Sequence, residues 1–581
     1  MNEEKFASVL RPWEKYYDPE MIKKPLEGML MYSALKKSCR GKEENIALDY
    51  YGTEISYGKL IDNIDKYAAS FSEMGISKGD KVSFITVSIP ESIYAIYGLN
   101  KIGAVCNFID IRTDSSHIIE YILKARSKAI VMLDFAWDKV KDAVERLNVD
   151  KIVIQRPDES FSLLKKLGYK IKVKKKNIID FSNSKLIRNI DFEKLGEGKS
   201  VDEVPYEKDM PAIVTRTGGT TGKSKGVVLT NDSMNAVYRN FRDVVGDTTG
   251  DTFLNFLPIA ASYGIVCGIH MALCMTIRDI LLPIFSPDEF SDLVLKYKPN
   301  HIIGVPVFYE DMMNSTKMQN EDLSFIKTMA AGGDTASLGF EEKLREFTKE
   351  RGVKYPLAQG YGMSETSSAC SYGIRDIHKN GSAGIPCIHS NISIFEPGTD
   401  KELPLGTTGE ICISGPTVMK EYLDEKEETE NIIKVHSDGE RWVHSGDLGH
   451  IDEDGFLFIT GRIKRSIIRF DGHKAYPVQI EEVVERSKDV KSCAVIGIRD
   501  RSHEKGELPL VILDKADDSE LSDEKLKKEN MDLCEKNLEG RGRPIDVVIV
   551  NEIPHTNNNK KDIQALESMF KDYDYLKKKV N

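Results

Sequence analysis

At 581 residues the chain exceeds one ordinary domain, so two or more cores are expected. Its 92 acidic side chains outnumber 81 basic ones, and the resulting net charge of −11 argues against general nucleic-acid binding. Nine scattered cysteines without a C-x-x-C spacing argue for reduced thiols in a cytoplasmic protein, not a disulfide framework or zinc site, and the lack of any run of about 18 apolar residues argues against an integral membrane segment.

Residues 1–25 are charged, lack an apolar signal core and read as an amphipathic lead-in. From about 26 to 130, helix and strand patterns alternate. Residues 81–87 and 129–133 read as buried strands, and 91–105 carry apolar residues at helical spacing. Such alternation predicts an α/β fold with a mostly parallel sheet. The lysine-rich run at 163–176 could meet an acidic partner or an anionic membrane surface, but is read as a solvated face.

The stretch 217–226 packs four glycines, three threonines, two lysines and a serine between two strand patterns, 211–214 and 227–230. Glycines let the backbone bend towards a ligand, and successive N–H groups can converge on an anion. The ligand that fits is a polyphosphate. A Walker loop is disfavoured, because Thr217 stands where its first glycine belongs and a strand follows in place of a helix. Asn231, Asp232 and Ser233 offer an N-cap for the next helix. Residues 301–306 and 328–335 read as strands ending in loops, where ligands of open α/β sheets sit.

A second cluster spans 359–366: Gly360 and Gly362 flank Tyr361, leaving its ring room to stack, and Ser364, Glu365 and Thr366 follow. A carboxylate beside a polyphosphate makes sense as a holder of Mg²⁺. In a third cluster, Asp447 is placed to accept both hydroxyls of a ribose, while 452–455 read as a hairpin turn. Beyond Arg462 a small α+β unit is expected, with a helix from about Pro477. Lys560 lies near its end on a polar turn and, alone, would read as bland.

In this order the clusters resemble the adenylate-forming superfamily of acyl-CoA synthetases, luciferases and nonribosomal-peptide adenylation domains, over residues 26–570. Residues 217–226 are similar to its phosphate loop, with Ser224 where proline is usual; 445–447 and 461–464 are similar to its ribose and hinge motifs, and 554–560 to its lysine motif. The resemblance implies a large N-terminal domain, 1–462, with parallel and mixed sheets, and a small mobile C-terminal lid domain, 463–581. It implies ATP, Mg²⁺ and coenzyme A. A carboxylate is first joined to AMP with loss of pyrophosphate, and a thiol then takes the acyl group.

The resemblance further implies roles. Thr217, Gly218, Gly219, Thr220, Thr221, Gly222, Lys223 and Lys225 hold the β- and γ-phosphates; Glu365 and Thr220 hold the metal. Ser364 contacts the α-phosphate, Tyr361 stacks on adenine between Gly360 and Gly362, and Gly333, Asp334 and Thr335 run along its edge. Asp447 and Arg462 bind ribose, Lys560 reaches the reacting oxygens, Lys464 is the hinge and Gly472 borders the CoA tunnel, although the segment 462–472 is one residue longer than usual. Residues 257–264 contain no carboxylate to pair with an α-ammonium, which points to an acid without an α-amino group. Ala260, Ala261, Tyr263 and Gly264 either line a roomy acyl pocket or only let helices pack closely. The expectation is an acyl-CoA synthetase for a fatty or aromatic acid. The alternatives are a ligase loading an acyl carrier protein and a catalytically silent adenylate binder.

Overall fold

The computed structural model describes residues 5–162, 165–166, 179–217, 224–284, 286–333, 338–538, 540–556 and 561–576. The lysine-rich run therefore lies largely outside the described residues. Two large sheets carry the N-terminal part. In the first, Ala358–Tyr361, Thr328–Ala331, His301–Gly304, Thr252–Asn255, Arg278–Leu281 and Ile46–Tyr50 lie side by side and parallel. In the second, Pro211–Arg216, Val105–Phe108, Lys81–Ile85, Ala129–Leu133, Lys151–Gln155 and Leu186–Arg188 do the same. Parallel sheets are covered on both faces, which is why Ala129–Leu133 reads as an unbroken apolar run and is buried at every position.

Helix Pro90–Lys101 opens with proline at a position whose N–H needs no partner. It packs so tightly on helix Tyr57–Glu73 that a Cβ on Gly98 would meet Ala68 N at 2.9 Å. The expected extension to 105 fails because Gly103 turns the chain at φ 74 and strand Val105–Phe108 begins. The N-cap of helix Asn231–Val245 is Thr230, one residue earlier than expected, in a reciprocal capping box with Ser233. The lead-in folds into three short helical turns and buries Trp13 completely.

A third, antiparallel sheet contains Gly409–Ser414, Arg441–Ile451 and Leu457–Arg462, and the turn expected at 452–455 joins the last two. After Arg462 come the hairpin Ile467–Ile468/Lys474–Ala475, helix Pro477–Val484 and a sheet of Val490–Arg499, Glu507–Lys515 and Asp546–Val550. These elements bury apolar clusters of their own, around Val484 and Leu513 on one side and Leu510 and Ile553 on the other. No helix among the described residues is long and apolar enough to cross a membrane, and all nine cysteines are buried free thiols.

One buried carboxyl makes stability depend on pH. Glu91 is 4% exposed, accepts a hydrogen bond from Ser160 at 2.5 Å through one oxygen and leaves the other without a partner. Burial pushes its carboxyl up to about 7, from an ordinary 4.5. The unfolded chain releases this proton first, so the stabilising contribution is full below about 4.5 and is lost as the pH rises to about 7. Glu91→Gln is expected to remove that slope and to raise stability at pH 8 by about 3 kcal/mol. Melting temperatures of both proteins at pH 5 and pH 8 check this; parallel pH dependences contradict it.

Candidate functional site

The phosphate-type loop grows from the antiparallel pair Pro211–Arg216 and Gly226–Thr230. Its neck is latched. Thr217 N–H donates to Lys225 C=O at 3.0 Å, Lys225 N–H donates to Thr217 Oγ1 at 3.0 Å, and Ser224 Oγ donates to Thr217 C=O at 2.7 Å. The serine in place of proline thus closes the loop with a hydroxyl. Gly218, Gly219, Thr220, Thr221, Gly222 and Lys223 lie outside the described residues, as do Asp334, Thr335 and Lys560. A strand, not a helix, follows, in keeping with the reading against a Walker loop. Lys225 forms an ion pair with Glu428 and sits 4.9 Å over the Tyr422 ring.

The second cluster leaves strand Ala358–Tyr361 through a turn closed on itself. A Cβ on Gly362 would fall 1.5 Å from Ser368 C=O, so no side chain fits there. Ser367 and Ser368 both take positive φ, 53° and 90°, a strained backbone of the kind that gathers at ligand sites. Tyr361 is buried, and its hydroxyl donates to Asp447 Oδ2 at 2.8 Å. Asp447 faces Arg462 across the antiparallel pair, and the Arg462 Nε to Asp447 Oδ1 distance is 2.9 Å. Clusters two and three, with Arg462, are therefore one assembly.

Glu365 ties this assembly to the loop. It is 6% exposed and accepts a hydrogen bond from Tyr422 Oη at 2.5 Å, while Tyr422 pairs with Val227 beside the loop neck. Burial raises the Glu365 carboxyl above its ordinary value. A divalent cation at its second oxygen would reverse that cost, so the group fits a metal; Mg²⁺ commonly takes one or two carboxylates plus phosphate oxygens. Another group of potential ligands, Glu410, Cys412 and His444, is accounted for without a metal. Glu410 accepts from His444 at 2.9 Å and from the Gly446 and Gly398 N–H groups at 3.1 and 3.2 Å, steadying the turn before Asp447.

A cavity of about 1360 Å³ opens at this assembly. Thr217, Gly333, Gly360, Tyr361, Gly362 and Ser364 line its polar end, and Phe256, Met271, Met275 and Phe308 line its body. Ala260, Ala261 and Tyr263 also line it. Gly264 does not. A Cβ there would lie 2.0 Å from Pro258 C=O, so its smallness serves close packing of the π-helix Tyr263–Met271 against the preceding chain. Three contributors were assigned no such role from the sequence. Ser262 Oγ donates to Ser364 Oγ at 3.2 Å, Tyr422 holds Glu365, and Thr556, four residues before Lys560, lines the same cavity. A hydroxyl or a phenol at these positions carries no distinguishing pattern.

Lys464 lies in the short 3₁₀ turn Ile463–Arg465, directly after the Asp447–Arg462 pairing. Gly472, at φ 81, is in the loop of the hairpin that follows. In that loop Phe470 stacks on His503 with ring centres 3.5 Å apart. Gly506 accommodates it, because a Cβ there would meet Phe470 N at 2.3 Å.

Residues 35–423 match the family described as AMP-binding enzyme, and residues 479–560 match the AMP-binding enzyme C-terminal domain. A long-chain-fatty-acid–CoA ligase of Bacillus subtilis is 29% identical over 501 residues, covering 84% of this chain and 87% of that one. A probable 4-coumarate–CoA ligase 1 of Dictyostelium discoideum is 27% identical, with 85% and 86% covered. Among solved structures, ATP-bound MatB from Rhodopseudomonas palustris superposes with a TM-score of 0.79 at 22% identity, covering 94% of this chain and 99% of that one. The o-succinylbenzoate CoA synthetase MenE of Bacillus subtilis, in complex with its acyl-adenylate intermediate, gives 0.71 at 22%, with 93% and 99% covered.

Proposed function

Because the chain belongs to the AMP-binding enzyme family, we propose that it is an AMP-forming acid–thiol ligase of two steps. A carboxylate oxygen attacks the α-phosphorus of ATP, the bond to the bridging oxygen breaks, and pyrophosphate leaves. The CoA thiol then loses its proton and attacks the acyl carbon, giving the thioester and releasing AMP. The observation that carries this reading is that Thr217, Tyr361 with Ser364, and Thr556, from three distant segments, line one end of one apolar cavity, with Asp447, from a fourth, held to Tyr361.

The first step brings two anions together, so positioning and charge neutralisation dominate. Asp447 and Arg462 hold the ribose, Tyr361 packs against adenine, and residues 217–225 bind the β- and γ-phosphates. Ser364, oriented by Ser262, faces the α-phosphate. Glu365 would hold Mg²⁺, which would supply charge to offset that of the leaving phosphates. Lys560 enters from the small unit, 463–581, which turns about Lys464 between the steps.

The acid is read as a long aliphatic one. The cavity runs along the sheet from Gly333 past the ends of the parallel strands to His301 and Thr328 at their starts. At about 3.3 Å per residue this adds roughly 10 Å beyond the reacting end. The absence of a carboxylate among residues 257–264 keeps an α-amino acid out. The 4-coumarate ligase relatives favour an aromatic acid as the second reading. Pyrophosphate release across octanoate to stearate, benzoate and 4-coumarate, with and without CoA, decides. Activity rising with chain length supports the first reading, activity confined to aromatic acids supports the second, and no acid-dependent release overturns both. AMP release that requires a carrier protein in place of CoA would reassign the acceptor.

A further inference from the structure

Two charged residues that the mechanism does not use are tied to a single helix. Arg465 directly follows Lys464, and Lys561 directly follows Lys560. Arg465 Nη2 donates to Glu481 Oε1 at 3.0 Å. Lys561 Nζ donates to Glu485 Oε1 at 2.9 Å and to Cys493 C=O at 2.6 Å. Glu481 and Glu485 are four residues apart, at the end of helix Pro477–Val484, and so share one face. Both links also grip strand Val490–Arg499. Glu481 Oε1 accepts Val495 N–H at 2.8 Å, Arg465 reaches Val495 C=O at 3.3 Å, and Cys493 belongs to the same strand.

The links are not surface ornaments. The side chains of Arg465 and Glu481 are 31% and 14% exposed, and those of Lys561 and Glu485 are 27% and 20%. Ion pairs this far from solvent, each with an added hydrogen bond, fix direction more firmly than exposed pairs do. Lys561 also sits at the neck of the lysine loop: it bridges His555, and Asp562 N–H donates to Pro554 C=O at 2.7 Å. Its anchor thus fixes the chain immediately after residue 560.

We propose that helix Pro477–Val484, with strand Val490–Arg499, is a strut joining the hinge to the lysine loop. Glu481 receives the rotation through Arg465, and Glu485 delivers it through Lys561. Lys561 and Glu485 are positioning residues for the adenylation step, and Arg465 and Glu481 for the change to the thioester step. The strut rests on the two-step reading above.

The two ends make opposite predictions, which general destabilisation cannot imitate. Lys561→Met and Glu485→Gln lower acid-dependent pyrophosphate exchange roughly 10- to 100-fold in kcat, the scale of a misplaced group, with KM for ATP within twofold. Their thioester formation from supplied acyl-adenylate and CoA stays near wild type. Arg465→Met and Glu481→Gln do the reverse. The swap of Lys561→Glu with Glu485→Lys restores at least part of the exchange lost in Lys561→Glu alone. If all four single variants lower both half-reactions in proportion to a fall in melting temperature, or match wild type in both, the strut is wrong. Wild-type protein run in parallel separates the two levels: no exchange in wild type sinks the two-step reading itself, whereas normal exchange in wild type with unaltered variants sinks only the strut.

Discussion

Lys560→Ala lowers acid-dependent pyrophosphate exchange by about 10²–10³-fold, the scale seen when one fixed donor is removed from developing charge, and leaves thioester formation from supplied acyl-adenylate near wild type. The asymmetry follows from what each step must overcome. Adenylation pushes a carboxylate onto a polyphosphate, and a cation at the meeting point offsets the repulsion. Thioester formation starts from an adenylate whose carboxylate charge has already been spent in a bond. On either side of residues 557–560, Thr556 lines the cavity and Lys561 is anchored on the small unit. Stopped assays of the two half-reactions, run separately, measure the ratio. Equal loss in both would remove Lys560 from its assigned place, and no loss in either would make it the solvated lysine that its local sequence suggests.

Lys464→Pro produces the mirror image, with adenylation kept and thioester formation reduced at least 100-fold, if the backbone at 464 is where the small unit turns. Lys464 is the second residue of the 3₁₀ turn Ile463–Arg465. Its N–H has no partner along the turn there, and proline's fixed φ near −65° suits that position. The present arrangement is therefore tolerated, while the large φ change needed for rotation is refused. Acyl-adenylate should accumulate on the variant when ATP, acid and CoA are all supplied. Normal thioester output from Lys464→Pro would move the pivot elsewhere.

Much of this site was readable before any coordinates, because its parts announce themselves locally. Glycines between strand patterns at 217–226 and the paired Asp447 and Arg462 motifs are short-range signals, and the fold places Asp447 opposite Arg462 in one ladder. What was not readable joins distant segments. Tyr422 reaches Glu365 over 57 positions, through a strand pairing that no local pattern encodes. Gly264 left two readings open because a small residue does not say which face it serves, and its missing Cβ faces Pro258 instead of the cavity. At the helix start, Thr230, Asn231, Asp232 and Ser233 are all competent caps, and only backbone geometry selects Thr230. Lys561 drew no reading from the sequence, and Glu485 stands 2.9 Å from it.

The burial of all nine thiols has a practical side. Maleimide chemistry needs an accessible thiolate, and burial raises the thiols of Cys274, Cys387 and Cys412 well above their usual range. The native chain is thus a nearly dark background for dye attachment. Two cysteines introduced on exposed positions either side of Arg462 would take up a fluorophore pair almost alone, and the interval between the two chemical steps could be timed by energy transfer without first stripping the protein of its sulfur.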